Sequence, residues 1–303
     1  MNKPAIKLLL VLFPPVLLIV WLEIKLPQVP NSYKRKKEIF ENSAHETQSL
    51  ILGSSQALYG IIPEMISAEA INLANLNQDL TYDHQLLFQY IDSFPHLKTV
   101  YATLTYFTLG YELINTKENW RSYFYERIWN LKLSMHEKDI KSYSWLALYG
   151  PRNALNFARH NFKSHFDQPV SNSGFQGLDS SLIFQPSDLS GKNAVDYHHS
   201  FFRFPSIEDN KIRIFEMAQL CRDHNVEFVL LLPPLHATYR KHREPWIINL
   251  NNNLIENLRA VKKVKVLDFT AHPAFGDNCF HDEFHLNARG ALLFSKLIHQ
   301  ERN

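Results

Sequence analysis

The 303-residue chain is poor in glycine, with nine, and nearly free of cysteine, with two. So little glycine beside 21 Phe, 13 Tyr and 5 Trp argues against a disordered or low-complexity chain. Two cysteines make no disulfide framework. Cys221, in a helical pattern, reads as a small buried apolar residue, and Cys279 as a loop residue; neither a disulfide nor a reducing compartment follows from the pair. Thirty-two Lys and Arg against 30 Asp and Glu give a net charge of only +2, so the electrostatic footprint of a nucleic-acid binder is missing. No internal repeat is present. What remains is a globular composition, 45% hydrophobic, of a length that fits one large α/β domain or two smaller ones.

The N-terminus is different. "LLLVLFPPVLLIVWL", Leu8 to Leu22, holds no charged residue and follows Lys3 and Lys7. A membrane span needs about 20 residues, which the run reaches by adding Ile6, Glu23 and Ile24, with Glu23 among the headgroups. Pro14-Pro15 would kink such a helix, which membranes tolerate better than water does. "EIKLPQVPN" offers no small-x-small cleavage site, so residues 1–25 are expected to be an uncleaved anchor and a single-pass span of the cytoplasmic membrane. Lys25 and the run Lys34-Arg35-Lys36-Lys37 outweigh Lys3 and Lys7, which by counting alone keeps the main domain in the cytoplasm. Residues 26–47, with "NSYKRKKEIFENSAHE", read as a polar, helix-prone connector whose "YKRKK" is a solvated face or a contact for anionic headgroups.

From residue 48 to 303 a single α/β domain is expected. Five short apolar runs read as buried strands: Ser49–Leu52, Ala70–Leu73, Thr99–Leu104, Glu227–Leu232 and Val264–Phe269. Helical patterns fall among them at Tyr82–Asp92, from Ser206 (whose "SIED" has the form of a capping box), at Pro245–Val261 and at Asn287–His299. Strand alternating with helix predicts a parallel sheet covered on both faces, with ligands at the carboxyl ends of the strands. About 108–205 interrupts this alternation. It is aromatic-rich, with helices expected in "NWRSYFYERIW" and "SYSWLALYGPRNALNFARHNF", then a loop, "FDQPVSNSGFQGLDSSLIFQPSD". So long an insertion is either functional or a cover for the sheet.

"LILGSSQALYG", Leu50 to Gly60, ends the first strand in Gly53-Ser54-Ser55, where a serine hydroxyl can be displayed. A serine there can also simply cap a helix. A serine nucleophile needs a base, and the base needs a partner to fix its tautomer. "FHDEFHLNARGALLFSKLI", Phe280 to Ile298, offers one: Asp282 and His285, three apart, entering the last helix. His198-His199 beside Asp196 would be metal ligands only with a third partner at sensible spacing; none exists, and no metal or other cofactor is expected.

"LGSSQ", "INLANLNQD" and "HDEFHLN" together resemble the SGNH, or GDSL-like, hydrolase superfamily. Within it they look most like the membrane-anchored members similar to D-alanyl-lipoteichoic-acid transfer proteins and polysaccharide O-acetyltransferases. The resemblance implies a three-layer α/β/α, flavodoxin-like core with a five-stranded parallel sheet. It places the nucleophile at Ser55, the general base at His285 and its orienting acid at Asp282. The family's second-block glycine falls on Asn77, whose backbone N–H would serve the oxyanion. The third-block Gly-x-Asn-Asp is missing: "ATLTYFTLG" stands in its place, leaving Thr105 or Tyr106 to substitute. After the fourth strand, "LLPPLHATYR" brings His236 and Tyr239 toward the same sheet end, as substrate contacts or as a structural turn.

The implied activity is a serine-dependent acyl esterase or acyltransferase on an exported polysaccharide or polymer. It implies a small acyl group such as acetyl, a membrane-bound acyl-donor protein as partner, and a domain outside the cytoplasmic membrane. The aromatic insertion would then shape the acceptor cleft. A catalytically weak glycan-binding or assembly protein that keeps the fold is the alternative the missing asparagine favours, and an intracellular anchored esterase is a third.

Overall fold

The computed structural model describes residues 3–132, 138–181 and 184–302; Met1 and Asn2 of the expected anchor, and Leu182 and Ile183 of the expected loop, lie outside them. The chain forms two compact units, one of Met1–Arg35 and Trp120–Pro169, the other of Lys36–Asn119 and Val170–Asn303. The insertion expected at about 108–205 is therefore divided: its middle, from Trp120 to Pro169, groups with the N-terminal segment, and its two flanks belong to the larger unit.

The larger unit holds the sheet. Strands β1 (Ser49–Leu52), β2 (Ala70–Asn72), β3 (Thr99–Thr103), β4 (Glu227–Leu232) and β5 (Val264–Asp268) are all parallel and lie in the order β2-β1-β3-β4-β5. Every residue of β1, β2 and β3 is buried, as expected of strands covered on both faces. The helices, in chain order, are α1 (Lys3–Lys25), α2 (Ser32–Ser43), α3 (Ser55–Gly60), α4 (Leu80–Tyr90), α5 (Ser122–Trp129), α6 (Trp145–Tyr149), α7 (Pro151–Arg159), α8 (Asp188–Phe201), α9 (Ser206–Asp223), α10 (Ala237–Lys241), α11 (Pro245–Arg259) and α12 (Ala288–Arg302).

The path of the chain decides which helix covers which face. It steps from β1 outward to β2, then reverses past β1 to β3, β4 and β5. Right-handed crossovers put α3 on one face and α4, α9 and α11 on the other. Helix α12 packs beside α3, and α4 beside α9. On the first face Ile51, Tyr101, Val229 and Leu231 meet Ala57 and Leu58 of α3 and Phe294 and Ile298 of α12 in one apolar cluster. The result is the expected three-layer, flavodoxin-like arrangement, and the reversal between β1 and β3 is where ligand crevices open in such sheets.

Local details differ from the sequence pattern. Ser206 does not cap α9: the N-cap is Pro205, without a side-chain bond, and Ser206 lies buried inside the first turn. The capping box belongs to α8, where Ser187 and Ser190 bond each other's backbone. The stretch expected as one helix from Ser142 breaks at Gly150, whose φ of 77° ends α6, and Pro151 opens α7. Cys221 and Cys279 are both buried free thiols. The basic tract is not one solvated face. Lys36 is fully buried, its Nζ donating to the carbonyls of Asn72, Ala74 and Gly174, and Lys37 lies over the Phe40 and Tyr90 rings.

In the smaller unit, the aromatics expected to face a cleft form a core. Tyr33 stacks on Phe124 at 4.9 Å, and Phe124 and Tyr149 both pack on Phe166. Burying these rings together removes more apolar surface from water than a solvent-facing platform would. Glu23 accepts from the Ser144 hydroxyl and from Trp145 and Leu146 N–H in the first turn of α6, where a carboxylate is favoured. The segment Val11–Gln28 is, among the described residues, the one helical stretch long and apolar enough to cross a membrane, with a mean hydropathy of 1.5 and large side chains exposed from Val11 to Trp21.

Candidate active site

Strand β1 hands the chain to α3 through Gly53 and Ser54. Gly53 has φ +133°, and a Cβ there would lie 2.1 Å from Thr103 Oγ1, so only glycine lets β1 and β3 stay this close while the chain turns. Its N–H donates to Asp83 Oδ1 at 2.9 Å. Ser54, not Ser55, occupies the N-cap of α3, and it makes no side-chain capping bond. Ser55 is thus the first helical residue, and its hydroxyl is free for another partner.

That partner comes from the far end of the chain. Ser55 Oγ lies 2.8 Å from His285 Nε2, across 230 residues of sequence. His285 Nδ1 lies 2.9 Å from Asp282 Oδ2 and 3.1 Å from Oδ1. Carboxylate oxygens only accept, so Nδ1 carries the proton and Nε2 is left to accept from the serine. Burial would raise the Asp282 carboxyl, but the His285 charge, its ring N–H and the N–H groups of Phe284 and His285 outweigh this and bring it down to about 2.

The loop that carries Asp282 and His285 is pinned on several sides. Phe280 and Leu286 bridge as an antiparallel pair, and His281 N–H donates to the His285 carbonyl. Asn287 closes the loop onto α12: its amide donates to the carbonyls of Asn278 and Phe280 while its oxygen accepts from Gly290 N–H. Gln56, next to the serine, donates from Nε2 to the Phe284 carbonyl at 2.8 Å, with both groups buried. Tyr59 and Phe284 set their edges against the His285 ring at 5.5 and 5.3 Å. The backbone, not the side-chain pair alone, holds the imidazole at the hydroxyl.

Ser55, Asp282 and His285 line a cleft of about 920 Å³, together with Asn77, Phe107 and His198. All its lining residues belong to the larger unit, and those from the expected insertion come from its flanks, such as Tyr111, Lys117, Tyr197 and Arg203. Asn77 has φ +56° and stands in the wall of the same cleft, its carbonyl accepting from the Tyr111 hydroxyl. As the opening residue of α3, Ser55 also has an N–H with no intrahelical acceptor.

The other named residues lie elsewhere. Tyr106 does not reach the cleft: its hydroxyl pairs with His199 Nε2 at 2.8 Å and accepts from Glu244 N–H at 2.7 Å. Thr105 does not line the cleft either, and its Oγ1 lies 2.8 Å from Thr108 Oγ1. Phe107 is the residue of that segment that turns to the cleft. His236 is buried as the N-cap of α10, with Nδ1 on the Thr238 hydroxyl and Nε2 on Asp277 Oδ1, away from the serine. Tyr239 is wholly buried and bonds His198 Nδ1 at 2.6 Å. The adjacent His198 and His199 thus take separate tyrosine partners, and Asp196 pairs with Lys192. Sequence reading missed α8 and with it His198; the unbroken "DLSGKNAVDYHHSF" after Ser187 was the available signal.

A parallel sheet with a hydroxyl, an imidazole and a carboxylate in relay at its switch point defines an α/β protein with a Ser–His–Asp constellation. No protein-family model matches the chain, and no curated protein matches it. Solved structures do. A GDSL-like lipase from Bacteroides thetaiotaomicron is 12% identical, with 89% of this chain and 97% of that one covered, at a TM-score of 0.42. A structure from Streptococcus pneumonia, provisionally described as a platelet activating factor, is 12% identical over the whole of both chains at 0.43. A provisionally described acylhydrolase from Bacteroides fragilis is 10% identical, covering 84% and 86%, at 0.40. At such scores the likeness carries no weight beside the chain's own geometry.

Proposed function

We propose that the chain is a membrane-anchored, serine-dependent ester hydrolase or O-acyltransferase of the SGNH kind, acting on an acylated exported polysaccharide or polymer. The observation that carries this reading is the relay of Ser55, His285 and Asp282, with its 2.8 and 2.9 Å links. Ser55 Oγ attacks the acyl carbonyl while His285 Nε2 takes its proton and Asp282 steadies the resulting imidazolium. The oxygen that becomes negative meets the N–H groups of Ser55 and Asn77. Collapse expels the alcohol, which leaves with the proton from His285, and the acyl group stays on Ser55. Water gives hydrolysis; a sugar or polymer hydroxyl gives transfer, by the same steps in reverse. A membrane-bound acyl donor fits an anchored chain, and a surface-polymer substrate fits a domain outside the cytoplasmic membrane.

Labelling the full chain with a fluorophosphonate and mapping the peptide tests the reading. The label is expected on Ser55, and Ser55→Ala is expected to abolish both label and polymer acylation in cells. Polymer acylation that persists unchanged in the variant refutes the enzyme. The alternative, a catalytically weak glycan-binding or assembly protein, is favoured by one observation: of the segment that follows β3 in place of the missing third block, it is the apolar Phe107 that lines the cleft beside Ser55. It predicts glycan binding unaffected by Ser55→Ala. A reporter active only outside the cytoplasm, fused to the C-terminus, tests orientation; silence in a well-expressed fusion refutes the outside placement.

A further inference from the structure

The proposed site is one oxyanion donor short, because neither Thr105 nor Tyr106 lines the cleft that holds Ser55. A candidate for the vacancy comes from α8. Gly191 presses that helix onto the backbone of α10, where a Cβ would lie 2.5 Å from the Thr238 carbonyl, and this close approach brings His198 to Tyr239.

The His198 ring is held on three sides. Phe107 stacks on it at 4.2 Å, Phe284 lies against it at 4.4 Å, and Nδ1 is 2.6 Å from the Tyr239 hydroxyl. His285 packs on the same Phe284. His198 lines the cleft with Ser55, and Nε2 is the ring nitrogen for which no hydrogen-bond partner is found among the described residues. The tautomer follows from the phenol. Tyr239 is wholly buried, and His198 Nδ1 is the hydrogen-bond partner found for its hydroxyl. If Nδ1 donated, the phenol proton would be buried without an acceptor, so the hydroxyl donates to Nδ1 and the ring proton sits on Nε2.

We propose that His198, through Nε2–H, donates a hydrogen bond to the acyl oxygen as it becomes an oxyanion, in place of the asparagine the third block lacks. This rests on the Ser55 reading. Burial first, and the neighbouring His285 charge second, push the His198 imidazole down to about 3, so the ring stays neutral and carries a single N–H. A neutral imidazole fixed by packing needs no reorganisation when charge develops on the substrate, which is what makes such donors effective.

The test is turnover of p-nitrophenyl acetate by the purified full chain in detergent. His198→Phe keeps a ring between Phe107 and Phe284 but has no N–H; it is expected to lower kcat about 10²–10³-fold with KM little changed. His198→Gln offers an amide N–H and is expected to recover about tenfold of that loss. Tyr239→Phe releases the tautomer and is expected to fall between the parent and His198→Phe. A tetrahedral mimic such as an alkylboronic acid should lose affinity in parallel with kcat, which a packing defect would not produce. The proposal is overturned if His198→Phe keeps kcat within about threefold of the parent, or if the Gln and Phe variants fall equally. Should the Phe variant not fold, His198→Ala against His198→Gln reads the same contrast. Turnover that survives Ser55→Ala overturns the catalytic reading itself; turnover lost in Ser55→Ala but intact in His198→Phe overturns only the donor.

Discussion

Gly53→Ala perturbs the junction on which the site is built, and its cost divides into two parts. The first is backbone strain: at φ +133° an L side chain is out of place, worth about 1–3 kcal/mol. The second is a collision, since the new Cβ would lie 2.1 Å from Thr103 Oγ1, with Ala57 Cβ at 3.2 Å and Thr103 Cβ at 3.3 Å behind it. Overpacking of this kind costs about 1–3 kcal/mol more. The Thr103 hydroxyl is itself buried without a hydrogen-bond partner, so deleting it loses little polar satisfaction. Thr103→Ala should therefore relieve the collision and leave the strain. The expected result is a loss of about 2–6 kcal/mol for Gly53→Ala alone, about 1–3 in the Thr103→Ala background, and a coupling of about 1–3 between the two positions. Cys221 provides the assay: it is wholly buried in α9 of the same unit, and burial pushes its thiol up to about 12, so it reacts only when that unit opens. Thiol labelling against urea, with peptide mapping to separate Cys221 from Cys279, gives the opening free energy without reference to catalysis. Costs below about 0.5 kcal/mol in both backgrounds, or equal costs in both, refute the account of this junction.

Gln56→Leu keeps the side chain's bulk but removes the donor that holds the Phe284 carbonyl, and is expected to lower turnover about ten- to a hundredfold by loosening the His285 loop; unchanged kcat would show that the remaining loop bonds suffice. Stability of the larger unit should depend on pH through two buried carboxyls, Asp79 and Asp83, which burial raises to about 6 and about 7. Because the folded state binds their protons more tightly, their contribution is complete below about pH 4 and is lost as pH rises through 6 and 7. Asp83→Asn should flatten urea midpoints over that range, and an unaltered slope counts against the assignment. Asp282, held down to about 2, works in the opposite sense, its contribution present above about pH 4 and lost as pH falls toward 2. If α1 spans a membrane, alkaline carbonate should leave the full chain in the membrane pellet; release to the supernatant would contradict an integral anchor.

Much of this molecule is written in local pattern. All five strands lie where apolar runs bounded by polar or turn residues placed them, two with identical ends; β1, β2 and β3 are buried throughout, whereas β5 at the sheet edge is only partly buried and carries Lys265 and the exposed Asp268. Ser55, Asp282 and His285 stood out as candidates for a similar reason: a glycine turn after the first strand and an Asp-x-x-His at the entry to the last helix are contiguous in sequence. The remaining roles depend on partners far away in the chain. Tyr106 is set aside by His199 and Glu244, His236 by Asp277, and the insertion's rings by one another, and none of these pairings leaves a periodic mark. A hydroxyl or imidazole points wherever its bonding is best satisfied once the backbone is placed, so His198 acquires its tautomer from Tyr239 and its place in the cleft from Phe107 and Phe284. Local pattern determined the five strands, the helices α4, α9, α11 and α12 and the residues that carry reactive groups; only packing, which α8 serves, decided which of those groups meet.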